Sequence, residues 1–201
     1  MMRCRDATPQ FIASVDDVAV LVTNDASLTA TTAVSQDDVA EWPEHLTQID
    51  SSHMNGVTSL GANCLRSCAA LAHVDLSGMP DATSVGDQFL AQCATLLEVD
   101  VQPLRRLTSI ENGFLHRGRS LTTVAGTAVG FSRVTSVGSE FLSLCASLVA
   151  VDLTGFSDAL RCIGNAFMSN NRGLTETDCR TMRRHHDRKA LLVLQRAAFR
   201  R

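Results

Sequence analysis

A fivefold internal repeat constrains this chain more than any other feature of its sequence. The copies open with the phrases VTSLG, ATSVG, LTSIE, VTSVG and LRCIG, which begin at residues 57, 82, 107, 134 and 160. Successive copies are therefore 25, 25, 27 and 26 residues apart. A period of this size is typical of stacked supersecondary units, each of which packs only on its neighbours, and not of a single globular core.

Each copy combines two local patterns. In the second copy, Phe89, Leu90 and Cys93 are spaced i, i+1 and i+4, which predicts one or two helical turns packed on a core. Val99 and Val101 then alternate with polar residues, which predicts a short strand with inward-facing side chains. The same apolar slots recur in every copy, and three of these ladders are Leu65, Leu90, Leu115, Leu142 and Met168; Leu71, Leu96, Leu121, Leu148 and Leu174; and Val74, Val99, Val124, Val151 and Thr177.

The cysteines follow the repeat. Cys68, Cys93 and Cys145 occupy one slot in different copies, and Cys64 takes the slot that is filled by Phe in the other copies. Both slots are apolar, so we expect these thiols to be buried and unreactive. The total of seven cysteines is odd and shows no clusters at the ends of the array, which favours a reducing compartment and a cytoplasmic location.

The repeat resembles that of leucine-rich repeat proteins. The phrases that carry the resemblance are VTSVGSEFLSLCASLVAVDLTG, from Val134 to Gly155, and ATSVGDQFLAQCATLLEVDV, from Ala82 to Val101. They are similar to the BspA-like type and its relatives in trypanosomatid proteins. The resemblance implies an α/β solenoid, a curved right-handed coil with short parallel strands on its concave face and short helical turns on its convex side. The asparagine ladder of the best-known repeat type is missing, since Met79 and Phe156 stand in its place.

The repeat divides the chain into three parts. We expect residues 46–178 to form the solenoid, as one partial copy and about five full ones. Residues 1–45 are predicted to be an N-terminal cap, partly irregular, that covers the first coil. Residues 179–201 are predicted to be a basic helix that caps the last coil, because a solenoid exposes its apolar column at both ends unless something covers it.

The charge is segregated between body and tail. Residues 178–201 contain eight basic and two acidic residues, a net of +6, whereas residues 1–177 contain 10 Arg and 19 acidic residues, a net of −9. The tail could attach to nucleic acid or to an anionic membrane, it could dock on the acidic body of the same molecule, or it could be a solvated capping helix. The tail residues that would make such contacts are Arg180, Arg183, Arg184, Arg188 and Lys189.

A column of aspartates is the main candidate surface in the repeat. Strand alternation places Asp50, Asp75, Asp100, Asp152 and Asp178 outward, and Ala125 interrupts the column. One interpretation is an acidic binding stripe, and the alternative is a solvated ladder inherited from repeat duplication. Because the positions are exposed, replacement of the aspartates by Ala is expected to weaken binding without lowering thermal stability. The predicted partner-binding residues are His73, Asp75, Ser77, Glu98, Asp100, Thr123, Thr127, Asp152, Thr154 and Glu176.

The sequence offers no pattern for catalysis. It contains no HExxH, GxSxG, phosphate-loop or GxGxxG motif. Cys64 and Cys68 are four residues apart but lack a second ligand pair, so we predict neither a metal site nor a cofactor. The predicted function is a non-enzymatic protein–protein interaction module or scaffold, monomeric, which binds a basic or polar protein partner on its concave sheet face. That the chain is a terminal fragment of a longer repeat array is a further alternative.

Overall fold

The chain folds as a stack of coils joined by parallel strands. The computed structural model describes residues 10–13, 18–22, 32–34, 47–51, 57–156 and 160–178. Each full coil contributes one strand to each of two faces, and the two faces run the length of the stack. The predicted parallel-strand solenoid is confirmed.

The first face contains the strands predicted from the VDL phrases. It consists of two hydrogen-bonded sheets that meet where the strand His73–Val74 contacts the strand Glu98–Asp100. The pairing within the repeat is parallel and in register, so that Val99 lies beside Val124 and Val124 beside Val151. Its repeat strands are β4 (Gln48–Asp50), β6 (His73–Val74), β8 (Glu98–Asp100), β10 (Thr123–Ala125), β12 (Ala150–Asp152) and β14 (Glu176–Asp178).

A second parallel sheet is formed by the opening phrases of the copies, where the sequence pattern had not predicted a strand. Its strands bury a Val, Ile or Leu side chain, such as that of Val85 or Ile110. An exposed threonine, such as Thr83 or Thr108, lies two residues before the buried one. The hydroxyl of each of these threonines donates to the corresponding carbonyl of the preceding coil at 3.0 Å, which adds a side-chain bond to the backbone ladder. The strands of this face are β3 (Thr32–Val34), β5 (Val57–Leu60), β7 (Ser84–Val85), β9 (Ser109–Ile110), β11 (Ser136–Val137) and β13 (Cys162–Ile163).

The segments predicted as helical turns are hydrogen-bonded turns of another kind. In the second copy, Gln88, Leu90 and Gln92 have φ values of 60°, 52° and 64°, so residues of positive φ alternate with residues of negative φ. The amides of Gln88 and Gln92 donate forward to the next coil, and the amide of Leu90 donates back to Cys64 of the preceding coil. These bonds join the coils along a third side, which we call the turn ladder (residues 62–68, 87–93, 112–118, 139–145 and 165–171).

The helical side implied by the resemblance is therefore only weakly present. The described helices are a 3-10 helix at Gln102–Leu104 and an α-helix, α1, at Thr127–Gly130, and both follow strands of the first face. No helix in the described part of the chain is long and apolar enough to cross a membrane.

The apolar ladders form one continuous core. The predicted leucine ladder that begins at Leu65 is fully buried, as are the inward strand residues Val99, Val124 and Val151. Phenylalanines stack along the axis, with ring centroids 5.3 Å apart for Phe114 and Phe141. A neighbouring rank, made of Phe131 and Phe156, meets this stack edge-on.

One core slot supplies hydrogen-bond donors to the turn ladder. The thiol of Cys93 donates to the carbonyl of Leu65 at 3.1 Å, and the thiol of Cys145 donates to that of Leu115 at 3.2 Å. Asn171 occupies the same slot in the last copy, and its amide donates to the carbonyl of Leu142 at 2.8 Å. The buried cysteines are thus core residues that also satisfy backbone acceptors, and Asn171 preserves that bond.

Two of the described strands before residue 47 extend the stack in the N-terminal direction. β2 (Val18–Val22) pairs in parallel with β4, and β3 pairs in parallel with β5, so both faces continue beyond the partial copy. β1 (Gln10–Ala13) pairs antiparallel with β2 and is the last strand of that sheet. The predicted C-terminal helix of residues 179–201 lies outside the described residues.

We predict that Phe141→Leu lowers the free energy of unfolding more than Phe89→Leu does. Phe141 contacts four other rings, whereas Phe114 is the only described aromatic ring that Phe89 contacts. Aromatic pairs contribute about 0.5–1.5 kcal/mol each beyond their buried area, so the difference between the variants should be about 2 kcal/mol. Urea unfolding followed by circular dichroism measures it, and equal losses for the two variants would contradict the prediction.

Candidate functional site

The structure places most of the predicted partner-binding residues on the surface of the first face. His73, Asp75 and Ser77 are exposed in one coil, and Glu98 and Asp100 are exposed in the next. Strand register sets Glu98 beside Thr123, and Thr123 beside Ala150. The remaining predicted residues of the face are Asp152, which is exposed, Thr154, which is half-buried, and Glu176, whose backbone continues the register in β14.

The three aspartates of the column whose side chains the structure describes, Asp75, Asp100 and Asp152, also hold the turns that follow their strands. The carboxylate of Asp75 accepts from the amide of Ser77 at 2.8 Å and from its hydroxyl at 2.9 Å. The carboxylate of Asp100 accepts from the amide two residues on at 2.8 Å, and that of Asp152 accepts from both the amide and the hydroxyl of Thr154. An aspartate that accepts from the amide two residues ahead forms an Asx-turn.

Although the sequence lacks the asparagine ladder of the best-known repeat type, these aspartates supply a side-chain acceptor from the surface to the turns that follow their strands. The hydroxyls expected beside the column do bond to it at Ser77 and Thr154. The aspartates therefore have a structural role, so we expect their replacement by Ala to lower stability, contrary to the expectation from exposure alone.

Thr127 departs from the predicted outward pattern. It is buried, with 2% of its surface exposed, because the chain turns at Gly126, which has a φ of 70°, and then begins α1. The third copy contains α1. It is the copy that is 27 residues long, and it is the copy in which Ala125 replaces aspartate. Thr127 lies inside the stack, and the prediction that it contributes to an exposed binding surface was wrong.

The charge of the first face is acidic where its side chains are described. Four carboxylates, those of Asp75, Glu98, Asp100 and Asp152, are exposed there, and His73 is the only described histidine or basic residue in its strands. Glu98 makes no hydrogen bond or ion pair with another described side chain, so its charge faces solvent. Asp100 uses one carboxylate oxygen for its Asx-turn, which leaves the other oxygen directed away from that bond.

A buried polar pair on the turn ladder was not predicted from the sequence. His116 is 7% exposed, and its Nδ1 lies 2.7 Å from the hydroxyl of the buried Ser143 and 4.0 Å from a carboxylate oxygen of Glu140. Burial lowers the pKa of His116 below its ordinary value of 6.5, and Glu140 opposes that shift. Ser143 occupies the slot of His116 one coil later, and that adjacency was the available sequence signal.

The buried thiols of Cys93 and Cys145 are poor nucleophiles. A hydrogen bond with Cys68 and burial raise the pKa of Cys93 far above its ordinary value, and burial raises the pKa of Cys145 to about 11. The reactive form of cysteine is the thiolate, which these shifts disfavour. Within the described residues, no three His, Cys, Asp or Glu side chains lie close enough together to hold a metal ion.

The basic tail lies outside the described residues. This applies to Arg180, Arg183, Arg184, Arg188 and Lys189, so their predicted contacts remain predictions from charge alone.

Comparison with solved structures identifies the fold. The chain is similar to a crystal structure of a leucine-rich repeat protein from T. pallidum, with a TM-score of 0.51 and 20% sequence identity, over 85% of this chain and 68% of that chain. A leucine rich cell surface protein from Faecalibacterium prausnitzii A2-165 matches with a TM-score of 0.36 and 15% identity, over 88% of this chain and 76% of that one. No family model and no curated protein matches the sequence. The chain has the fold of leucine-rich repeat proteins.

We predict that Asp75→Ala destabilises the fold and that Asp75→Asn does not. Ala removes the acceptor for the amide and hydroxyl of Ser77, whereas the oxygen of Asn can still accept from the amide. Loss of such a bond costs about 0.5–1.5 kcal/mol. Glu98→Ala is the matched control, because it removes an exposed carboxylate that supports no turn. Equal unfolding midpoints for Asp75→Ala and Asp75→Asn would contradict the structural role.

We predict that acidification below pH 6.5 destabilises the native chain through His116. Since the pKa of His116 is lowered in the folded state, the unfolded chain takes up a proton first as the pH falls, and stability is lost between 6.5 and the lower folded value. His116→Gln removes this loss. Thermal unfolding of both proteins from pH 7.5 to 5.5 measures the difference, and parallel curves would rule out the effect.

Proposed function

We propose, on the premise of the leucine-rich repeat fold, that this chain is a protein-interaction module that binds a basic or polar protein partner on the first face. The observation that carries the proposal is the row of outward side chains at Glu98, Asp100 and Asp152, which are exposed and acidic. A repeat solenoid presents such side chains at regular spacing on a rigid sheet, which suits recognition of an extended partner surface.

The Asx-turns refine which charges could contact a partner. Both carboxylate oxygens of Asp75 bond to Ser77, so this side chain has the least freedom to bind anything else. Glu98 makes no such bonds. Asp100 and Asp152 each accept their Asx-turn hydrogen bonds through Oδ1 alone, so Oδ2 is available to a partner. We therefore centre the proposed surface on Glu98, with Asp100 and Asp152 beside it.

Attachment of the basic tail to nucleic acid or an anionic membrane is the second proposal. It rests on the net charge of +6 in residues 178–201. Binding by the tail would fall steeply as salt rises, because each phosphate neutralised by a basic residue releases counterions. Cytoplasmic residence, which is drawn from the cysteines in apolar slots, and a monomeric state remain proposals.

We expect Glu98→Gln, Asp100→Asn and Asp152→Asn, combined in one variant, to weaken partner capture without loss of stability. The substitutions remove three charges but keep the acceptor oxygens of the Asx-turns. Exposed ion pairs contribute about 0.2–1 kcal/mol each, so capture should fall about tenfold. The measurement is quantitative affinity capture from native lysate, followed by titration of each captured protein against the purified chain.

A second triple variant serves as the control. Asp81→Asn, Asp87→Asn and Glu111→Gln remove the same number of charges from acidic side chains outside the strands of the first face. A partner that is lost only with the first triple variant supports the proposal. If both variants capture equally, the first face is not the binding surface, and loss of binding on neutralising Arg183, Arg184 and Arg188 would favour the tail instead.

A further inference from the structure

We propose that the surface formed by the second half of the turn ladder and the residues that lead from it to the first face is a docking surface for an anionic phospholipid bilayer. We call it the basic edge. It consists of eight residues from each copy, in the same slots throughout, and these are residues 65–72, 90–97, 115–122, 142–149 and 168–175. The proposed protein partner binds the acidic first face, so the basic edge is a separate surface of opposite charge.

The charge of the basic edge has one sign. Its segments contain Arg66, Arg117, Arg119 and Arg172, all exposed, and no Asp or Glu. Arg66 donates to the side-chain oxygen of Asn63, and none of the four forms an ion pair with a described residue. Four guanidinium groups are thus left without a counter-charge along one side of an otherwise acidic body.

Inter-coil hydrogen bonds keep these side chains in rows. The amide of Arg117 donates to Ser143 of the next coil, and the amide of Leu144 donates to Ser169 of the coil after it. Neighbouring parallel segments lie about 4.8 Å apart, so five copies place their charges along a ridge of about 20 Å.

The same edge exposes aliphatic side chains. Of the four large hydrophobic residues that are exposed in the described part of the chain, three lie here: Leu97 at 51%, Val149 at 48% and Leu144 at 37%. Thr122 stands between Leu97 and Val149 on the intervening coil, and its hydroxyl donates to the carbonyl of Leu97 at 3.0 Å. Because the hydroxyl is turned to the backbone, the row from Leu97 to Val149 is mostly apolar.

This combination fits an anionic bilayer better than other anionic partners. Basic side chains attract acidic headgroups, and aliphatic ones enter the boundary between headgroup and acyl chain. Single-stranded nucleic acid is usually held by aromatic stacking as well as by charge, and the basic edge contains no aromatic residue. A purely acidic peptide would leave the apolar row uncovered. The carboxylates of the first face begin at Glu98, the residue after Leu97, and they confine the lipid contact to the edge.

The test is flotation of the full chain with vesicles of phosphatidylcholine, with and without phosphatidylserine. We expect binding only to the vesicles that contain phosphatidylserine. Arg119→Gln with Arg172→Gln should lower binding about 25-fold, since each basic residue near an anionic surface contributes about fivefold. Leu97→Ser with Val149→Ser should lower it severalfold, including at physiological salt, where the apolar contribution persists.

Matched controls make the result specific. Arg105→Gln with Arg133→Gln removes two exposed charges elsewhere, and Val129→Ser removes the one large exposed hydrophobic residue that lies off the basic edge among the described residues. These variants should bind like the native chain, whereas the triple variant at Glu98, Asp100 and Asp152 should bind at least as tightly, because it removes negative charge beside the edge. Thermal unfolding checks that each variant is folded.

Four outcomes would overturn the proposal. They are the absence of binding to the phosphatidylserine vesicles, equal losses for the edge and control variants, loss of binding only when Arg183, Arg184 and Arg188 of the tail are neutralised, and complete competition by polyglutamate at physiological salt. The last outcome would assign the edge to an acidic protein instead of a membrane.

Discussion

Backbone hydrogen bonds between successive coils are the interaction on which the rest of the structure depends. They run along three sides of the stack, through the two parallel faces and through the turn ladder. A buried peptide group without a partner is costly, so a coil is stable only when the next one supplies its donors and acceptors. Side chains then complete the ladders at a few points, through the threonines of the second face and through the slot of Cys93, Cys145 and Asn171.

The repeat period and the apolar slots made the solenoid, its core and the first face predictable from the sequence. Strand alternation correctly placed Asp75, Asp100 and Asp152 outward, because a period of two is set by local geometry. The turn ladder was not predictable in this way. The spacing of Phe89, Leu90 and Cys93 is compatible with a helix, and only the partners in adjacent coils select the alternating conformation. Thr127 was misplaced because two additional residues and Gly126 change the path of one copy.

The aspartate column shows how a surface position can serve the fold and remain available for binding. A carboxylate has two oxygens, and the Asx-turn needs only one of them. The sequence showed the column but not this division, because the hydrogen bonds of Ser77 and Thr154 depend on the local turn. A repeated acidic residue is therefore weak support for a binding site on its own, and Glu98, which lies outside the column and supports no turn, distinguishes the two roles better.

The alternating conformation of the turn ladder also limits which amino acids a coil can accept. Its left-handed slots are occupied by Leu65, Leu90, Leu115, Leu142 and Met168 in the middle position, and the flanking slots contain Asn, Gln, Ser, Arg, Glu, Ala, Leu or Gly. None contains Val, Ile or Thr, although these residues are abundant in the adjacent strands. Branching at Cβ clashes with the backbone at positive φ, so the ladder excludes such residues while the strands favour them. In chains of unknown structure, three residues that are not branched at Cβ, at alternate positions between two runs of Cβ-branched residues, would distinguish this turn from a helix.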